Sequence, residues 1–292
     1  MQQISPRAIQ LFLLLLFALS APLYVAIARL GMQPLVLTAI MCAPAVSALA
    51  TALICKISLR GFGWRWPSAR YALASYLIPF AYITAGYVSV WALHGGGFYN
   101  PAFVAKAAAM FGLHGRPPGL VIVVAFALVA TLAVAIDALP VLGEEIGWRG
   151  FLAPALAQRF GFVATALISG GIWAIWHFPG IFWSGYNGGN GGWYDAACFT
   201  VLIVAISFPL TYLRLRSGSL WTGVIFHATH NALIQAFFTG ITIKYATTRL
   251  FIDEFGIGLL PFAIAVAVWF VLRERQTREG SNFLHGAHAA TP

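Results

Sequence analysis

The chain has 292 residues, of which 60% are apolar and only 9% are Asp, Glu, Lys or Arg, against about 25% charged residues in an ordinary soluble domain. That composition excludes a soluble globular protein, a disordered chain and a nucleic-acid-binding domain. The net charge of +9 comes from 17 Lys and Arg against 8 Asp and Glu; it is spread along the chain, as the positive-inside rule produces in membrane proteins, so no nucleic acid is expected as a partner.

Continuous apolar runs predict eight membrane spans, at 8–28, 33–55, 71–93, 119–142, 161–177, 194–213, 218–239 and 255–272. A span needs about 20 apolar residues, so eight use roughly 160 and leave loops only. The runs are continuous rather than alternating, which argues against a β-barrel. The expected fold is an all-α polytopic membrane protein, one transmembrane domain over 1–292 with an intramembrane polar site, embedded in a lipid bilayer. The first run follows Arg7 and ends on Ala26-Ile27-Ala28, like a signal peptide. It is long for such a segment and another span follows at once, so it is read as an uncleaved helix.

Between the spans, the loop 56–70 interleaves Arg60, Phe62, Trp64, Arg65 and Trp66, the pattern of an interfacial anchor. The stretch 94–118, with an apolar patch at 102–112, reads as a partly re-entrant segment, and its His94 and His114 are given no role. The sequence SGYNGGNGG at 184–192 reads as a mobile loop. Cys42, Cys55 and Cys198 lie in apolar context at no metal-binding spacing and read as core thiols. The tail 273–292 is polar and expected to fray, with His285 and His288 solvated.

With the N-terminus cytoplasmic and all eight runs crossing, 12 Lys and Arg fall inside, while Arg29, Lys106, Arg116, Lys244 and Arg249 fall outside. That asymmetry predicts a multi-pass cell-membrane protein with both termini in the cytoplasm.

Charges at bilayer depth are costly and mark function or a pairing partner. Asp253, Glu254, Glu274 and Glu279 fall in loops or the tail, and Asp195 is borderline. Asp137, Glu144 and Glu145 are the informative acids. Glu145 and Arg149 are four apart with the acid first, the favourable helical ion-pair order. Glu144 points about 100° away, lacks this partner and is free for general-base chemistry. The pair alone would serve equally as a clamp at the inner mouth of a span.

His177 ends the segment Trp173-Ala174-Ile175-Trp176-His177, where a lone His is commonly structural. His227 and Asn231 share one helix face with His230 at its edge, and such a pair also serves as interhelical glue. The conjunction carries more than any part: acids, an Arg, imidazoles and an Asn on three apolar segments are one another's cheapest partners. A carboxylate and a neutral imidazole can activate water, and a His with an Asn can donate to an oxyanion. These are the parts for peptide-bond hydrolysis. There is no Gly-x-Ser-x-Gly elbow and no His-Glu-x-x-His pair. No cofactor is expected, with zinc held by Glu and His as the less favoured option.

Together the three segments resemble the CPBP family, the intramembrane proteases related to the type II CAAX prenyl endopeptidase. Its first box, Glu-Glu-x-x-x-Arg with a following Gly-Phe-Leu, is matched by Glu144, Glu145, Arg149, Gly150, Phe151 and Leu152; its third, His-x-x-x-Asn, by His227 and Asn231. Its second, Phe-x-x-x-His, runs here from Trp173 to His177, a change expected to affect packing rather than chemistry. The likeness spans about 120–240, the protease-like core.

The resemblance implies a glutamic endopeptidase: Glu144 and His177 activate water, His227 and Asn231 hold the oxyanion, and Glu145 and Arg149 support the site. It implies a peptide or protein substrate, prenylated in the CAAX-processing branch. The alternatives are a non-catalytic scaffold or bacteriocin-immunity protein of the same fold, and a proton-coupled transporter. Eight straight crossings leave Glu144, His177 and His227 at unequal depths, so a break near Pro140 and Gly143, or a deeper start of the fifth segment, is expected. Asp137 lies seven residues before Glu144 on nearly the same face and either lines the cavity or bonds a neighbouring helix.

Overall fold

A computed structural model describes the backbone of residues 2–288 and the side chains as far as residue 277. The expected solvation of His285 and His288, and the end of the tail, lie outside the described residues. The helices are α1 (Pro6–Leu30), α2 (Pro34–Ile54), α3 (Ala69–Ala92), α4 (Pro101–Met110), α5 (Pro118–Ala157), α6 (Phe162–Trp183) and α7 (Gly192–Ser217). Helix α8 joins Trp221–Asn231, the π-helical Ala232–Phe238 and Thr239–Ile241 end to end, and α9 spans Leu260–His288. Two short strands, β1 (Gly97–Phe98) and β2 (Thr242–Ile243), pair antiparallel with Gly97 opposite Ile243. The protein is an all-α polytopic membrane protein.

Among the described residues, seven helices rather than eight are long and apolar enough to cross a membrane. The exception is α8. It carries His227, His230, Asn231 and Gln235, which lower its hydropathy, and it tolerates them because it packs inside the bundle against α3, α5 and α7. The segment expected to be re-entrant is the ten-residue α4, too short to span. Asn100 caps it by accepting from the Ala102 amide at 3.0 Å, and the Asn100 amide donates to the Ile241 carbonyl at 2.7 Å, tying α4 to the end of α8.

The break expected at Pro140 and Gly143 does not occur. Helix α5 runs 40 residues through both, with π-helical turns at Val129–Ala133 and Ile146–Leu152. Gly143 is a packing notch instead: a Cβ there would lie 2.7 Å from the Met41 carbonyl oxygen, and one at Gly147, a turn further, would meet Pro44 Cβ at 2.5 Å. Small residues four apart let α5 and α2 approach closely. The continuation of α5 to Ala157 also removes the depth mismatch. Glu144 and His177 lie thirteen and fifteen residues from the turn joining α5 to α6, about 20 and about 22 Å along their helices.

Contacts between loops sort the helix ends onto two faces. On one, the Ile4 amide donates to Gln158 Oε1 at 2.8 Å, the Leu220 amide to the Gly63 carbonyl at 2.8 Å, and Arg216 pairs with Glu274 at 2.7 Å. On the other, β1 pairs with β2 and Asn190 Nδ2 donates to the Arg249 carbonyl at 2.9 Å. The chain alternates between these faces at every long helix, so α1 begins where the described part of α9 ends. Helix α1 is integral to the core: Phe12 packs on Phe151 with ring centroids 5.0 Å apart, and Trp176 Nε1 donates to Ser20 Oγ at 2.8 Å. The 184–192 segment is a loop pinned by Asp195, whose carboxylate accepts from the Gly188 amide at 3.1 Å and from Asn190 Nδ2 at 2.9 Å.

Candidate active site

The two adjacent acids of α5 are both buried, and the helix sends them to different partners. Glu145 Oε1 accepts from Arg149 Nη1 at 2.8 Å and from His227 Nδ1 at 3.0 Å. A buried carboxylate needs such charge-assisted partners to offset desolvation. The Arg149 guanidinium in turn lies 4.4 Å from the centre of the Trp173 ring. This packing depends on Gly223 of α8, where a Cβ would collide with Glu145 Oε2. Gly223→Ala is expected to displace the carboxylate and cost about 1–3 kcal/mol, measured as thermal unfolding in detergent.

Glu144 is not without partners. Its Oε2 accepts from Trp148 Nε1 at 3.2 Å, one helical turn on, and from Trp173 Nε1 at 3.0 Å, across from α6. The Trp that stands where the resembled box has Phe therefore reaches Glu144. Its indole hydrogen-bonds Glu144, which a phenyl ring cannot do, so the expectation of an effect on packing alone is corrected.

His177 Nδ1 lies 2.9 Å from the Trp173 carbonyl, so that nitrogen carries the proton and Nε2 presents its lone pair. His227 Nδ1 likewise donates to Glu145, which orients the ring. Glu144, His177, His227 and Asn231 line one cavity of about 320 Å³. Glu145 and Arg149 stand behind it, reaching it through His227 and Trp173. Asp137 also lines this cavity, its buried Oδ2 without a hydrogen-bond partner among the described residues.

Sequence reasoning missed several groups here. Tyr24 of α1 and Gln235 of α8 line the cavity, as does Glu254, which the sequence left in a loop. That loop folds back, so that Glu254 is buried and its Oε1 accepts from Gln235 Nε2 at 2.9 Å, with His230 Nε2 3.7 Å away. His230 Nδ1 bonds the Tyr82 hydroxyl. The only hint in the sequence is the apolar setting of Asp253-Glu254, between Ile252 and Phe255. Burial, and after it the adjacent Asp253, push the Glu254 carboxyl well above the usual carboxylate range.

A raised folded-state pKa contributes stability that is full below the unfolded value, about 4.3, and is lost as pH rises toward the folded value. Glu254→Gln removes that loss. Its melting temperature, measured against wild type, is expected to gain steadily as pH is raised from acid through neutral.

Among the described residues no Lys or Arg lines the cavity. Among the described residues no three His, Cys, Asp or Glu side chains are grouped as ligands. Glu144 Oε2 already accepts two indole N–H groups, and Glu145 Oε1 holds a guanidinium and an imidazole.

Residues 121–233, which contain every site residue from Asp137 to Asn231, match the family described as Type II CAAX prenyl endopeptidase Rce1-like. A CAAX prenyl protease 2 from Methanococcus maripaludis is similar, at 30% identity over 88 residues, 29% of this chain and 32% of that protein. The chain thus spans about a third of the length of the curated relative it matches. Tyr24 and Glu254 fall outside the family segment. Three ordered boxes, the cavity they line and these matches agree: residues 121–233 are similar to the Rce1-like type II CAAX prenyl endopeptidases.

Proposed function

We propose that this protein is an intramembrane glutamic endopeptidase. The observation that carries the reading is the convergence of Glu144, His177, His227 and Asn231, from three helices, on one cavity. Glu144 and His177 Nε2 accept from a water molecule, and Glu144 takes its proton as the oxygen attacks the scissile carbonyl. The developing oxyanion is held by the Asn231 amide and by the Nε2–H of His227 in its imidazolium form, which Glu145 stabilises. Collapse of the tetrahedral intermediate breaks the C–N bond. The leaving amine takes the proton from Glu144, giving a new amine and a new carboxylic acid, which releases the second water proton to solvent as it ionises.

No metal ion takes part in this scheme. The substrate is a peptide or protein; the relative's name, CAAX prenyl protease, makes a C-terminal prenylated peptide the first candidate to offer. The test is to incubate purified protein with matched peptides carrying or lacking a prenyl group and to sequence the products by mass spectrometry. Internal cleavage at a defined bond supports an endopeptidase. Release of single terminal residues, or no cleavage across a broad peptide library by folded protein, contradicts it.

A further inference from the structure

The cavity that holds Glu144 carries the carboxyl groups of Asp137, Glu144 and Glu254 and, among the described residues, no Lys or Arg. Glu144 is met by two indole N–H groups, and the Arg149 guanidinium behind the cavity is held by Glu145 at 2.8 Å. Asp137 and Glu254 have no such answer: among the described residues neither pairs with a Lys or Arg. Asp137 Oδ2 is buried without a hydrogen-bond partner among those residues. The same holds for Nε2 of His230, a residue only 2% exposed, 3.7 Å from Glu254 Oε1. Both residues line the cavity. Buried polar atoms are nearly always partnered, so two orphans in one cavity mark where the donors of a ligand complete the set.

These groups share one end of the cavity. Asp137 precedes Glu144 by seven residues on α5, about 10 Å along the axis. Gln235, which donates to Glu254 at 2.9 Å, follows Asn231 by one turn of α8, about 5 Å. Helices α5 and α8 run in opposite directions, and Val129–Ala133 of α5 packs against Ala232–Phe238 of α8. Both offsets therefore lead the same way from the level of Glu144 and Asn231. Glu254 itself lies outside the segment that matches the family.

We infer that this end of the cavity is a subsite for a cationic side chain, Lys or Arg, of the substrate peptide, held by Glu254 and Asp137. The subsite rests on the endopeptidase reading and adds the side chain that its substrate carries. With its Nδ1–H given to the Tyr82 hydroxyl, His230 offers an Nε2 lone pair to the same group. The Glu254 carboxyl, which burial and then Asp253 hold above the usual carboxylate range, ionises once a cation sits beside it. A substrate carboxylate in the same place is repelled. An extended peptide advances about 3.3–3.6 Å per residue, so the cation belongs about two or three residues from the cleaved bond.

The test uses the full chain purified in detergent and short peptides of Ala and Leu that carry a single Lys, norleucine or Glu. Lys is expected to raise kcat/KM about tenfold over norleucine, through KM, and Glu to lower it by as much. Moving the Lys by one residue is expected to move the cut by one residue, read by mass spectrometry. Glu254→Gln keeps an oxygen for Gln235, and combined with Asp137→Asn it is expected to abolish the Lys preference. The same peptides, fluorescently labelled, are titrated onto Glu144→Gln protein by anisotropy, where no cleavage is needed and Lys is expected to bind about tenfold tighter than norleucine. Equal binding and KM for Lys and norleucine, or a preference for Glu, would overturn the subsite. So would a Lys preference that survives in folded Glu254→Gln/Asp137→Asn; if that variant does not fold, the wild-type and Glu144→Gln series decide alone. Tight binding of Lys peptides with no cleavage by wild type would keep the subsite and remove the endopeptidase reading.

Discussion

Arg149→Met is expected to cost about 3–5 kcal/mol of stability, because it removes the guanidinium from a fully buried carboxylate and leaves it His227 alone as a partner. Glu145 has no exposed surface and its two partners are Arg149 at 2.8 Å and His227 at 3.0 Å. Water cannot replace the guanidinium at such a site, and the Trp173 ring loses the cation seated on its face. The methionine fills most of the volume, so the loss reports charge rather than a cavity. Removing the charge as well should return part of the loss, so the double variant Arg149→Met/Glu145→Gln is expected to melt above the single Arg149→Met. Thermal unfolding in detergent, followed by tryptophan fluorescence, checks both. A single variant within about 1 kcal/mol of wild type would mean that the pair behaves as an exposed ion pair does.

Glu144→Gln is expected to act on rate rather than on stability. The amide keeps the size of the side chain and an oxygen able to accept from Trp148 and Trp173. It cannot take a proton from water. A positioned general base is worth about 10²–10⁴ in rate, or about 2.7–5.5 kcal/mol of barrier. The loss should fall on kcat with KM little changed, since the proton is transferred only in the transition state. Steady-state kinetics on one cleaved peptide, with the melting temperature measured alongside, separates this result from misfolding.

What the sequence conveyed follows from the range of the forces involved. Spans at bilayer length and an ion pair at four-residue spacing are local patterns, so the all-α membrane class and the Glu145–Arg149 contact were legible. The partners of Glu144 were partly local: Trp148 stands one turn on, but a search for charged partners passes over an indole. Trp173 was legible only as a box position, not as a partner of Glu144, and Glu254 reaches the cavity through tertiary packing that no spacing in the chain announces. Boundaries failed where polarity and span length disagree. The apolar run ending at 142 hid the remainder of α5, because Glu144, Glu145 and Arg149 lower its hydropathy while being buried on one another. Helix α8 loses its place among the seven apolar spans for the same reason.

That Glu144 activates water for peptide hydrolysis without a metal is the step on which the proposed function turns. Its most direct test sets wild type beside Glu144→Gln, purified and folded, with one peptide in ¹⁸O-enriched water, with and without chelator, and products read by mass spectrometry. Wild type is expected to cleave in either condition and to place the heavy oxygen in the new carboxylate, while Glu144→Gln leaves the peptide intact. Cleavage by Glu144→Gln at the wild-type rate, or wild-type cleavage abolished by chelator and restored by zinc, would contradict it.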